Sequence, residues 1–395
     1  MTLTRERLLQ DLYTAYYGAC RHKRKRSYVR RWERNLKANM EQLCDDLYTR
    51  RYRAMPSKCF IVDHPKKREV FCAAFRDRIV HHLYFDYTHE LFERTFIADS
   101  YSCIKGRGTH YGIRRIAQHI RQESQNYTRT CYALKLDIRG YFMHIDRQRL
   151  LDIALQTLRR KATRGHDLDF LEWLTREIVM LDPTEGCIIT GDEQDWQGLD
   201  PSKSLRNLPA GLGLPIGNLT SQLFSNVYLN IFDQFMKRTL GCKHYGRYVD
   251  DAVVVSCDRE WLLSLVPRVK DFLRRELALD LHDGKLTITD VRQGVEFLGA
   301  YIRPWRIYTA NGTLRRIEKN MRSVDYRRRN RTARTVNSYL GIMQHAASYN
   351  QRRRLFMRKE LLRIGRFNDD MTKFTLSKPK RRKRAKGKPS LILTT

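Results

Sequence analysis

The stretch HYGRYVDDAVVVS at 244–256 constrains this chain more than any other, because it sets two adjacent carboxylates between two short β-rich runs. Asp tolerates turn geometry, so the natural reading is a tight hairpin with Asp250 and Asp251 at its apex. Two carboxylates side by side repel and need compensation. Either they act as turn residues that bond their own backbone, or they hold a divalent cation. Mg²⁺ suits the second case, since it prefers oxygen ligands and is typically held by one or two carboxylates plus substrate phosphates. A third carboxylate enters through CYALKLDI (131–138), where Tyr132, Leu134, Leu136 and Ile138 share one face and Ala133, Lys135 and Asp137 the other. Such a strand buries its apolar face on helices and presents Asp137 on the opposite side. A further acidic group, Asp192, Glu193 and Asp195, lies in 182–213, where turn formers and weak periodicity predict a surface insertion.

The carboxylates stand out because the chain is otherwise basic: 76 Lys and Arg against 43 Asp and Glu leave a formal charge of +33 over 395 residues. That balance points to a polyanionic partner, nucleic acid first and a membrane surface as the competing reading. The charge is concentrated at 21–34, 315–354 and 377–390, blocks that largely lack the acids at i±4 expected of ordinary solvated helices. With 42% hydrophobic residues, global disorder is excluded. No apolar run approaches the ~20 residues of a membrane span, and the N-terminus has no leader-like apolar region. Nine scattered cysteines without a CxxC fit a reducing cytoplasm better than a disulfide framework or a zinc site.

Periodicity predicts basic amphipathic helix within 1–55, short strands within 59–71, and helices over 77–92, 109–123, 147–160 and 221–240. A further helix runs to about residue 279, strands follow near 285–289 and 296–302, and 313–365 reads as helical and basic. The last 20 or so residues lack a core pattern and are expected to be disordered without a partner.

Tyr248-Val249-Asp250-Asp251 between apolar strands, preceded by Asp137 in LDIRGYF, resembles motifs C and A of reverse transcriptases. Further blocks keep that family's order. FCAAFRDRIVHH (71–82) and SCIKGRGTHYG (102–112) resemble fingers segments, and GLPIGNLTSQLFSNVYLN (213–230) resembles motif B. DGKLTI (283–288) resembles the motif D loop, and FLGAYI (297–302) the motif E primer-grip hairpin. The resemblance implies an α+β right-hand polymerase. Its expected parts are a basic helical extension over 1–40, fingers over 41–130, a palm over 131–305 with an antiparallel sheet and helices on one face, a helical thumb over 306–370, and a basic disordered tail over 371–395.

The resemblance also implies roles. Asp137 and Asp250, with the Ile138 carbonyl, would bind two Mg²⁺ ions (Mn²⁺ being a possible substitute), and Asp251 would support the site electrostatically or as a ligand. Phe142 matches the aromatic gate that packs where a ribose 2′-hydroxyl would sit, or it is plain core. Arg68 and Lys66 would clamp the incoming triphosphate, or they form an exposed basic turn. Lys285 matches the lysine that protonates the leaving pyrophosphate, or it is a solvated lysine.

Motif B departs from the retroviral Gln-Gly-x-x-x-Ser-Pro. Here Ile216, Gly217, Ser221 and Gln222 give an Ile-Gly-x-x-x-Ser-Gln pattern that resembles the reverse transcriptases of diversity-generating retroelements of bacteria and phages. That lineage implies error-prone, adenine-directed cDNA synthesis from a template-repeat RNA, on a cDNA or primer strand with dNTPs, alongside an oligomeric accessory variability protein. The alternative is a group II intron-like or phage-defence enzyme without adenine bias. An idle RNA-binding scaffold and an RNA-copying RNA polymerase are the further rivals.

Overall fold

The predicted N-terminal helix is three helices in the computed structural model: α1 (Arg5–Cys20), α2 (Ser27–Glu33) and α3 (Leu36–Tyr48). Thr4 caps α1 by accepting from the Arg7 N–H at 3.3 Å, and Leu8, Leu12, Ala15, Tyr16 and Ala19 form its buried stripe. The basic residues 21–26 that follow α1 are all exposed. The structure describes residues 3–63, 66–163 and 165–377. The chain divides into two units, Met1–Gln293 and Gly294–Thr395.

In the first unit, β1 (Lys58–Val62) and β2 (Arg68–Cys72) pair antiparallel, and α4 (Phe75–Glu93) and α5 (Thr109–Glu123) follow. Next come β3 (Tyr132–Asp137), the short α6 (Tyr141–His144), α7 (Arg147–Lys161) and α8 (Leu168–Val179). The sequence reading passed over α8, although Asp167 caps it through the Phe170 N–H at 2.9 Å and Phe170, Leu171 and Leu174 bury one stripe. After β4 (Ile188–Ile189) come α9 (Leu219–Gln234), β5 (His244–Tyr248), β6 (Asp251–Ser256), α10 (Arg259–Leu277) and β7 (Thr287–Asp290). A π-helical turn, Phe235–Thr239, extends α9.

The central sheet has the order β5-β6-β3-β7 and is antiparallel throughout. Leu134, Leu136, Ile138, Ala252 and Val254 enter one large core with buried residues of α1, α3, α4, α7, α8, α9 and α10. Ala133, Val253 and Val255 on the alternate face are buried as well, and α5 packs along β5 and β6.

The region 182–213 does more than cover surface. β4 joins β1 in parallel, and the buried Glu69 of β2 accepts from Trp196 Nε1 at 2.8 Å, Ser204 Oγ at 2.8 Å and the Leu205 N–H at 2.7 Å. A single carboxylate thus satisfies three donors that periodicity could not assign. The cysteines form no framework, with seven of them free, but one pair is linked. Cys131 and Cys257 are joined, with Cα atoms 3.9 Å apart, because β3 and β6 pair Tyr132 with Ser256 one position inward.

The second unit begins with a meander of β8 (Val295–Phe297), β9 (Ala300–Arg303) and β10 (Arg306–Thr309), so the strand expected over 296–302 is a hairpin turned at Leu298-Gly299. Helices α11 (Asn311–Arg322), α12 (Arg329–Met343), α13 (Tyr349–Phe356) and α14 (Lys359–Ile364) share a core with β11 (Gly365–Phe367) and β12 (Phe374–Leu376). Met371 and Phe374 are buried in that core, so residues 371–377 are not tail. The remainder of the expected disordered tail, 378–395, lies outside the described residues. Among the described residues, no helix is long and apolar enough to cross a membrane.

Candidate active site

Antiparallel pairing of β3 with β6 places Asp137 directly opposite Asp251. Pairing of β5 with β6 closes a two-residue turn, Val249-Asp250, between Tyr248 and Asp251. Three carboxylates from two distant stretches of the sequence therefore meet at one end of the sheet. The turn is tight for a reason the sequence reading misplaced: Val249, not an aspartate, takes the left-handed conformation, with φ +54°. For a β-branched residue this is strained, at about 1–3 kcal/mol. The surroundings hold it there. The Val249 N–H donates to Ser102 Oγ at 3.3 Å, and its carbonyl accepts from Arg247 Nη1 at 2.9 Å. The Asp250 carbonyl accepts from the Ile138 N–H at 3.2 Å, which ties the turn to the strand end carrying Asp137.

Two lysines answer the carboxylates. Lys285 Nζ, in the turn before β7, donates to Asp137 Oδ1 at 2.7 Å. Lys135 Nζ stands 3.6 Å from Asp251 Oδ1, within ion-pair range but beyond a hydrogen bond, and that oxygen is buried with no hydrogen-bond partner among the described residues. Burial, then the charges of Asp251 and Asp137, push the Asp250 carboxyl up to about 6. Burial raises Asp251 too, against the opposing pull of Lys135. Burial works against the Lys285 charge, yet its hydrogen bond to Asp137 and the nearby carboxylates keep its pKa above the ordinary lysine value.

The donor chemistry suits a hard divalent cation: oxygen ligands, one of them buried and unpaired, in a cluster where negative charge is expensive. Among the described residues, no group of three or more His, Cys, Asp or Glu side chains is gathered closely enough to hold a metal ion, and Asp137 is engaged by Lys285.

Phe142 and Ile216 fall together in an apolar cluster with Cys59, Phe71, Met143 and Leu205. The Ile216 carbonyl accepts from the Phe71 N–H at 3.0 Å, and Asn218 Oδ1 accepts from the Ala73 N–H at 3.4 Å, so the motif B turn is pinned along β2. Gly217 is required there: its φ is +125°, and a Cβ would lie 2.9 Å from the Phe71 carbonyl oxygen. Ser221 is buried and Gln222 exposed on the first turn of α9, while Lys66 and Arg68 are exposed at and just before the start of β2.

Reading the sequence missed the support beneath the turn. Arg247 is 1% exposed and Asp233 0%; they form a two-pronged ion pair with distances of 2.7 and 2.6 Å, and Tyr245 Oη donates to Asp233 Oδ1 at 2.6 Å. The available signal was a lone arginine inside a strand otherwise fit for burial. Its partner lies on another element and is not visible in periodicity.

A family profile described as reverse transcriptase (RNA-dependent DNA polymerase) matches residues 63–302, more than half of the chain. Protein YkfC of Escherichia coli (strain K12) is 23% identical over 298 residues, 67% of this chain and 71% of that protein. Among solved structures, apo telomerase from Candida tropicalis truncated from its C-terminal domain aligns with TM-score 0.44 and 11% identity over 68% of this chain. The longer apo telomerase from the same organism aligns with 0.47 and 8% over 73%. The chain spans 59% and 52% of those two telomerase chains. The motif order, the converging carboxylates and the matched profile lead to one family, and this chain belongs to the reverse transcriptases, the RNA-dependent DNA polymerases.

Proposed function

We propose that the chain copies a template-repeat RNA into error-prone cDNA for diversification of a target gene, with chemistry centred on Asp137, Asp250 and Asp251. The observation carrying the catalytic part is the register that sets Asp137 opposite Asp251 with Asp250 in the adjoining turn. Asp137 and Asp250, with the Ile138 carbonyl, would hold Mg²⁺, which supplies activation of the primer 3′-hydroxyl and neutralisation of the leaving pyrophosphate. Asp251 maintains the field of the site beside Lys135. Lys285 would serve as the proton source for the leaving pyrophosphate, a reading supported by its hydrogen bond to Asp137. Lys66 and Arg68, exposed at the start of β2, offer cationic groups to a triphosphate. Magnesium-dependent extension of a DNA primer on an RNA template by the wild-type chain, lost in Asp250→Asn, is the expected result. Equal extension by both proteins rejects this assignment.

Adenine-directed mutagenesis rests on Ile216, which, like Phe142, packs against the apolar cluster and offers no hydrogen-bonding side chain. A polar contact of this kind is worth roughly 1–3 kcal/mol, or about 5- to 200-fold in discrimination. Sequencing cDNA made from an adenine-rich template, with cognate RNA and an oligomeric accessory protein present, should show errors concentrated opposite adenine. Ile216→Gln should reduce them. An unbiased error spectrum would favour a group II intron-like or phage-defence enzyme.

A further inference from the structure

The three aspartates do not hold their own geometry. Asp250 follows a β-branched residue in the left-handed region, and no feature of the Val249 side chain favours that conformation. What fixes it is a clamp on both sides of the Val249 peptide unit: Ser102 Oγ accepts its N–H at 3.3 Å, and Arg247 Nη1 donates to its carbonyl at 2.9 Å. Each jaw is anchored in turn. Ser102 Oγ donates to Asn226 Oδ1 of α9 at 3.0 Å, and Asn226 Nδ2 donates to the Ser102 carbonyl at 2.7 Å. Arg247 is oriented by both oxygens of Asp233, also on α9. Both jaws therefore run back to one face of the helix that motif B opens.

We infer that Arg247 is a positioning residue for Asp250: its guanidinium, held by Asp233, keeps the Val249-Asp250 turn in the conformation that presents Asp250 to a divalent cation beside Asp137. A full-length arginine is suited to this because it pairs with a carboxylate in two prongs and has a further N–H for the carbonyl. A lysine could neutralise Asp233, but its donors sit on one nitrogen and do not reproduce the three separated nitrogens that Arg247 uses for Asp233 and Val249. The inference rests on the polymerase reading only in naming which cation site matters.

The test is Mn²⁺ binding, followed by electron paramagnetic resonance, to the full chain with a primer–template duplex, comparing wild type with Arg247→Lys. The Mg²⁺ dependence of extension is measured alongside. The expected result is a folded variant whose Mn²⁺ affinity is weaker by about tenfold or more, the scale of supporting contacts around metal ligands, with a matching rise in the Mg²⁺ needed for half-maximal extension. A lowered melting temperature with unchanged Mn²⁺ affinity and Mg²⁺ dependence makes Arg247 a core filler only and overturns the inference. So does the absence of saturable Mn²⁺ binding by wild type. If Arg247→Lys does not fold, Ser102→Ala decides, since it removes the opposite jaw at the cost of one hydroxyl: weakened Mn²⁺ binding supports the clamp, and unchanged binding overturns it. Wild-type Mn²⁺ binding that Arg247→Lys weakens, without any primer extension, would sink the polymerase reading and leave this one standing.

Discussion

Full burial in α4 pushes the His81 imidazole down to about 4, with the charges of His82 and Arg78 adding to the effect. Unfolded, the same group protonates near its ordinary value of about 6.5. Between those two values the unfolded chain holds the extra proton, so this residue subtracts stability as pH falls from 6.5 to 4 and has no effect above that window. The integrated loss is on the order of 3 kcal/mol. Asp250 works in the opposite direction, because its raised pKa lets the folded chain gain a proton below about 6. The difference between His81→Leu and wild type is therefore the quantity to read: urea unfolding at pH 7.5 and pH 4.5 should show the variant gaining relative to wild type at the lower pH. At the same scale, Phe142 sits in the cluster with Ile216 and is only partly buried. If it gates the sugar, Phe142→Ala should raise ribonucleotide incorporation by roughly tenfold or more in single-nucleotide extension. Lost stability without a change in sugar choice would make it plain core.

Among the elements, the most consequential contact is between β2 and the region 193–207. Glu69 is buried, and its carboxylate accepts from three donors that would otherwise be unsatisfied. Glu69→Gln keeps the shape but turns an N–H₂ toward at least one donor, which should cost about 1–3 kcal/mol and raise deuterium uptake over 193–207. Gly217→Ala strikes the same β2 segment from the other side, since its new Cβ meets the Phe71 carbonyl in a backbone conformation that favours glycine. A similar loss of stability is expected, read as a lowered urea midpoint. The helices and most strands were legible because their burial follows periods of 3.6 and 2. The docking of 182–213 was not, because it depends on one carboxylate and a two-residue parallel bridge, and neither leaves a periodic trace.

At the scale of the whole molecule, +33 charges must be accommodated at the surface. Residues 21–27 are exposed, with Tyr17 59% exposed beside them and Arg24 lying 6.0 Å from its ring centre. A surface of this kind binds nucleic acid through released counterions, so affinity for a primer–template should fall by about a thousandfold or more between 50 and 200 mM salt if six or more phosphates are engaged. Replacing Arg21, Lys23, Arg24, Lys25 and Arg26 with glutamine should flatten the slope of log affinity against log salt and leave the melting temperature near that of wild type. An unchanged slope would place the phosphate contacts elsewhere.

Local order in the chain was enough to determine the alternating strand that ends at Asp137, the presence of a hairpin carrying Asp250 and Asp251 (though not its apex, which is Val249-Asp250), the amphipathic helices and the family motifs, because each is written in neighbouring residues. Only the folded molecule decided that Val249 bears the turn's strain, that Arg247 and Asp233 sustain it from a buried ion pair, that Lys285 lies against Asp137, and that Cys131 meets Cys257. Those outcomes depend on which distant elements lie side by side. Pairing across a sheet and contact across a core are set by the packing of the whole chain, which no short window of sequence contains.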